Sequence, residues 1–271
     1  MANAIKAAPA QKNILRREYR NPPVHEVIID VQFQRTVDEK PLRELRERLA
    51  ASFPKVDQQN LMVLQMGMDF SGQASQGGVS QFAGWLARDE GLGWVLQTAP
   101  AAFTLHLVRP GAWPAGKYMG WSAIYARFRE LHQSLADVYG QLELKRAGVR
   151  YLNRIAIPQG EAVAKWVVLP LAESDLLHDL YTFNVRLTWA RAGDDDRLSA
   201  TIGIAKIEIP DPAIAAHNDG VLLDIDVFNL WIPKAPSYAE LPAWFENAHE
   251  IENQLFESCI TDPLRQRFDQ Q

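Results

Sequence analysis

Pro23-Val24-His25-Glu26-Val27-Ile28-Ile29-Asp30-Val31-Gln32-Phe33 opens the first half of the chain, and Gly148-Val149-Arg150-Tyr151-Leu152-Asn153-Arg154-Ile155-Ala156-Ile157 opens the second. Both read as strands, because β-branched and aromatic residues dominate and apolar side chains recur in steps of two. Successive strand side chains point to opposite faces. His25, Val27, Ile29, Val31 and Phe33 then share an apolar face, with Glu26, Asp30 and Gln32 opposite beside Ile28. Val149, Tyr151, Asn153, Ile155 and Ile157 share a face of the second strand, with Arg150 and Arg154 opposite. Two acids in one strand and two arginines in its counterpart imply a polar sheet face.

Working outward, each half repeats one order of elements. After the first strand, Leu42, Leu45, Leu49 and Phe53 form the stripe of a helix near 40–53 that Pro54 stops. Strands follow at 60–68, 80–89, 92–98 and 102–109, with Ser71–Gly78 as a loop. Trp121, Ile124, Tyr125, Phe128, Leu131, Leu135 and Val138 then recur at helical spacing, and Gly140 ends that helix. The second half reads strand 147–157, a weakly helical 161–168, and strands near 179–190, 198–209 and 220–229. Gly193–Asp196 makes the first hairpin turn, and Asn218-Asp219-Gly220 precedes the last strand. A closing helix starts at the capping box Ser237/Glu240 and carries Leu241, Trp244, Phe245, Ala248, Ile251, Leu255, Phe256 and Cys259 on its stripe. Thr261-Asp262-Pro263 starts a last short helix.

The expected fold is therefore α+β, a duplicated β-α-β(3–4)-α unit with a curved antiparallel sheet and long helices on one face. Residues 1–17 read as a flexible basic tail, 18–140 as the first pseudo-repeat and 141–271 as the second, forming one continuous domain. The layout resembles the saddle of the TATA-box-binding protein and the duplicated small-ligand domains related to it.

The polar face collects Glu26, Asp30, Asp224 and Asp226 against Arg150, Arg154, Arg186 and Lys206. A surface that wraps duplex nucleic acid would be strongly positive. This face is balanced, and the chain carries a net charge of −5, so a nucleic-acid partner is not expected. A ladder of cross-strand ion pairs and a site for a small anionic ligand or a protein partner are both consistent with it. For an anion site the candidates are Arg150, Asn153 and Arg154, with Glu26 and Asp30 orienting the arginines and Arg186 nearby. A metal-assisted hydrolase using Glu26, Asp224 and Asp226 is the enzymatic alternative, and a structural homo-oligomer is a third.

No phosphate loop, dinucleotide fingerprint, HExxH, CxxC or GxSxG is present. No cofactor and no metal site are expected. The single cysteine, Cys259, excludes an intramolecular disulfide and sits on a helix stripe as a buried thiol. His132 and His249 border helical stripes and read as core or boundary residues. The chain has no stretch long enough to span a membrane and no secretory signal, so a cytoplasmic protein is expected.

Asn21-Pro22-Pro23-Val24-His25-Glu26-Val27, Gly148-Val149-Arg150-Tyr151-Leu152-Asn153-Arg154-Ile155 and Phe256-Glu257-Ser258-Cys259-Ile260-Thr261-Asp262 together resemble a sporadically distributed prokaryotic family of roughly 250–270-residue proteins. The resemblance spans about residues 19 to 268. It implies a stand-alone protein and transfers no catalytic residue. Patchy distribution of that kind fits an accessory gene of a mobile or defence-associated cluster.

Overall fold

The computed structural model describes residues 18–68, 74–109, 118–158, 160–168, 183–190, 198–211, 216–229 and 235–270. The expected basic tail 1–17 and the turn Gly193–Asp196 lie outside the described residues. In chain order the elements are β1 (Val24–Phe33), α1 (Glu39–Leu49), β2 (Lys55–Met68), β3 (Ala74–Asp89), β4 (Trp94–Ala99), β5 (Ala102–Val108) and α2 (Trp121–Tyr139). Then come β6 (Leu144–Ala156), β7 (Asn184–Ala190), β8 (Ser199–Asp211), β9 (Ala216–Phe228), α3 (Leu241–Cys259) and α4 (Asp262–Gln270).

The strands form one nine-stranded antiparallel sheet in the order β2-β3-β4-β5-β1-β6-β9-β8-β7. The two stretches that opened the sequence reading pair with each other at its centre, Val27 opposite Tyr151 and Ile29 opposite Val149. Each is flanked outward by the last strand of its own half, β5 beside β1 and β9 beside β6. This placement explains their composition. A central strand covered by helices on one side is apolar at every second position.

That covered face holds the core. Val27, Ile29, Val31, Val149, Val221, Leu223, Ile225 and Val227 are wholly buried beneath α2 and α3. The two long helices meet at Phe128 and Phe245, whose rings lie edge to face at 5.3 Å. Burying each ring is worth roughly 2–3 kcal/mol. Gly140 ends α2 at φ 72°, where a residue with a β-carbon is disfavoured.

Several local expectations are corrected. The register of β1 against β6 shifts between Val24 and Glu26, so Val24, not His25, turns into the core. Ala74–Gly78 of the expected loop belong to β3, since backbone pairing to β2 continues past the sheet proper. Asn218-Asp219-Gly220 are paired with Ile209-Glu208-Ile207 inside the β8–β9 ladder, so they lie within the last strand and do not precede it. Lys206 lies opposite Val221 on the helix side of the sheet and pairs with Asp219, 3.3 Å away, so it does not join the polar face. The weakly helical stretch at 161–168 reduces to one 3-10 turn, Val163–Lys165, followed by a bridge of Val167 to Ile260. Among the described residues no helix is long and apolar enough to cross a membrane.

Candidate functional site

The sheet face away from the helices carries the expected charges, and they are largely engaged with one another. Arg146, which sequence reading left out because it began this strand at 147 and not at Leu144, is the hub. Its guanidinium pairs with Asp30 and, at 2.8 and 2.9 Å, with both oxygens of Asp226. It reaches Asp226 by lying across Gly148. A β-carbon there would collide with the Arg146 guanidinium and the Asp30 carboxylate. Arg150 takes Asp224 in a two-pronged bond at 2.8 and 2.6 Å. Glu26 receives His106 Nδ1 at 2.7 Å. That bond holds the Glu26 carboxyl below its ordinary range against the opposing effect of burial.

The sequence candidates therefore do not converge. Glu26 and Asp30 orient His106 and Arg146, not Arg150 and Arg154. Arg154 and Arg186 are exposed and make no ion pair among the described residues, but three strand spacings separate their strands, about 14 Å. One small anion cannot bridge them. Asn153 sits on the opposite side of the sheet from the arginines, buried beneath the helices. Among the described residues no group of three His, Cys, Asp or Glu is arranged to hold a metal ion.

Asn153 leads to a site of a different kind. It lines a cavity of about 430 Å³ between β6, the start of α2, the middle of α3 and the segment entering β1. The three sequence blocks that carry the family resemblance meet there. Pro22, Pro23 and Val24 come from the first, Tyr151 and Asn153 from the second, Phe256 and Glu257 from the third. A backbone bond ties the first block to the second, and another ties the first to α4. Arg154 N donates to Pro23 O at 2.9 Å and Asn21 N to Phe268 O at 3.2 Å. Tyr19 Oη donates to Glu257 Oε1 at 2.5 Å, and Arg265 Nε donates to Glu257 Oε2 at 2.8 Å.

A polar chain crosses the wall. Tyr118 Oη donates to Tyr151 Oη at 3.2 Å, and Tyr151 Oη lies 3.3 Å from His249 Nδ1. Asn253 Nδ2 lies 3.0 Å from the His249 carbonyl and 3.1 Å from His249 Nε2. A carbonyl only accepts, so the amide nitrogen of Asn253 faces it and also donates to Nε2. The neutral imidazole then carries its proton on Nδ1. The ring is held in place by Trp121, stacked on it with centroids 4.3 Å apart.

Glu252 stands out in this wall. It is 3% exposed, and its ion-pair contact among the described residues is with His249, whose Nδ1 stands 3.9 Å from Oε2. Burial pushes its pKa up to about 8, so the carboxyl is mostly protonated at neutral pH. The thiol of Cys259 is raised to about 11 by burial and by the same glutamate. His132 provides the contrast, because it stacks on Tyr238 at 5.0 Å much as His249 stacks on Trp121. Its Nε2 has no hydrogen-bond partner among the described residues, and burial lowers its pKa to about 4. One histidine is dry; the other is wired into a cavity.

Sequence reading placed His249 at a helix border and passed over Glu252. The available signal was positional. Glu252 falls four residues after Ala248 and four before Phe256, inside the apolar stripe of α3. An acid there is expensive unless it serves a purpose. Comparison with protein-family models and with curated proteins gives no match, so the resemblance rests on its three blocks alone.

Proposed function

We propose that this is a non-enzymatic small-molecule-binding protein whose ligand occupies the cavity between β6, α2 and α3. The observation that carries this reading is the Glu252 carboxyl, buried at a cavity wall with His249 Nδ1, 3.9 Å away, as its ion-pair contact among the described residues. Burying a carboxyl with no direct hydrogen bond costs on the order of 1–3 kcal/mol, and a ligand that bonds to it offsets that cost. The volume suits a compact organic molecule.

The polar sheet face is the weaker site for an anion, because Arg146 and Arg150 already serve Asp30, Asp226 and Asp224. The same pairing removes support from a hydrolase built on Glu26, Asp224 and Asp226. We read that face as a structural ladder of ion pairs. A duplicated origin is supported by its strand order and by three matched positions. Trp121, Phe128 and His132 correspond at one constant separation to Tyr238, Phe245 and His249, and Trp121 and Tyr238 each stack on the other half's histidine. On this view one of two equivalent histidine sites closed into core and the other kept its cavity. A cytoplasmic location remains part of the proposal.

The test is native mass spectrometry of freshly purified protein beside a Met119→Trp variant, which fills the cavity rim. Retained mass on the parent that is lost from the variant supports the reading. Retained mass indifferent to Met119→Trp, or protein that keeps no mass and is stabilised by no compound in a metabolite screen, overturns it.

A further inference from the structure

The cavity wall is unbalanced in hydrogen-bonding terms. Its donors are largely spent. Both N–H groups of Asn253 go to His249, Asn153 Nδ2 goes to the Leu223 carbonyl at 3.4 Å, and Tyr19 Oη goes to Glu257. Trp121 Nε1 donates to Glu246 at 3.1 Å. Beyond the donors of Arg20, Ser122 and the uncapped start of α2, which also line the cavity, what remains is acceptors once Glu252 is ionised. The amide oxygens of Asn153 and Asn253 and the carboxyl of Glu252 receive no hydrogen bond among the described residues. Because both amide nitrogens face carbonyl oxygens, the orientation of each amide is fixed and its oxygen lies on the other side.

We propose, building on the ligand-binding reading above, that the cavity receives the protonated nitrogen of a small amine, amidine or guanidine. Such a group is all donors and matches a carboxylate flanked by two amide oxygens. The aromatic walls of Tyr19, Tyr118 and Phe256 suit a cation with an apolar body. The start of α2 has no side-chain cap and also borders the cavity, as does the exposed Arg20. These favour an acceptor at the far end of the ligand.

Binding is then coupled to ionisation of Glu252, because the cation needs a carboxylate and the empty site prefers the neutral acid. His249 contacts Glu252 and Cys259 feels its charge, and the other titratable groups lining the cavity are Glu257 on α3, Tyr151 on β6, Tyr118 ahead of α2, and Glu18, Tyr19 and Arg20 ahead of β1. With a pKa of about 8, affinity rises close to tenfold per pH unit up to that value and then levels.

Calorimetric titration of the full chain with benzylamine, benzyl alcohol and benzoate separates the possibilities. The expected result is binding of benzylamine, at least tenfold weaker binding of the two others, and at least a tenfold loss in Glu252→Gln with no pH slope left. Circular dichroism of the variant checks its fold, and Asn153→Leu, which removes a second acceptor, provides an independent reading with at least a threefold loss. Equal or tighter binding of benzyl alcohol or benzoate overturns the amine assignment while leaving the cavity a binding site. Benzylamine binding that ignores both Glu252→Gln and Asn153→Leu also overturns it. If no probe binds and Met119→Trp changes nothing in the mass experiment, the ligand-binding reading falls too.

Discussion

Trp121 of α2 stacks on His249 of α3 with ring centroids 4.3 Å apart, and the contact crosses between the halves of the chain. Its counterpart, Tyr238 on His132, makes the same crossing at 5.0 Å. The two histidines nevertheless sit in opposite environments, and that difference can be measured as a pH dependence of stability.

His132 governs the acid side. Its folded pKa, about 4, lies below the ordinary 6.5, so folding disfavours its charged form. The contribution is intact above pH 6.5 and is lost as pH falls through 4, in total about 3 kcal/mol. His132→Leu removes this titration. Urea unfolding between pH 7 and 4 is expected to show a clearly shallower acid slope in the variant; an unchanged slope would mean the ring is solvated.

Glu252 governs the opposite side. Its folded pKa is raised from 4.5 to about 8, so the folded protein keeps a proton that the unfolded chain releases. Stability is highest below pH 4.5 and declines as pH rises to 8, by up to about 5 kcal/mol in the empty protein. Glu252→Gln carries no charge at any pH. It is expected to match the parent within about 1 kcal/mol at pH 4.5 and to melt several degrees higher at pH 8. A variant that melts lower at pH 8 would show that the carboxylate has a partner in the free protein.

The sequence made the sheet legible because one physical rule, alternation of side chains, governs a strand wherever it sits. Glu26 and Asp30 were assigned correctly to one face, and Arg150 and Arg154 to its counterpart. The partners of those charges were not legible, since pairing depends on register and on the small size of Gly148. The cavity was harder still. Tyr19, Tyr151 and Glu257 are brought together from segments far apart in the chain, and no local spacing records that meeting. Asn153 was singled out, but on the wrong face's account. Alternation alone separates it from Arg150 and Arg154.

Gly148 tests the ion-pair ladder. Gly148→Ala places a methyl where Arg146 crosses to Asp226, and the guanidinium must leave at least one of its two carboxylates. Asp30 is 8% exposed, so losing its partner leaves a charge with little water. Because the displaced atoms are the far ends of flexible side chains, the expected cost is roughly 1–2 kcal/mol, read from the urea midpoint, with ligand retention unaffected. A change below about 0.5 kcal/mol would show that the network contributes nothing.

The two faces of β6 can finally be set against each other in one strand. Arg154 is exposed and unpaired among the described residues, while Asn153, its neighbour, is 1% exposed at the cavity. If the ligand lies beneath the helices, Arg154→Ala leaves stability within about 0.5 kcal/mol and retained mass unchanged. Asn153→Leu keeps a similar volume but removes the amide, and is expected to reduce retained mass in the native spectrum. The reverse pattern, with mass lost from Arg154→Ala and kept by Asn153→Leu, would move the binding site to the polar face of the sheet.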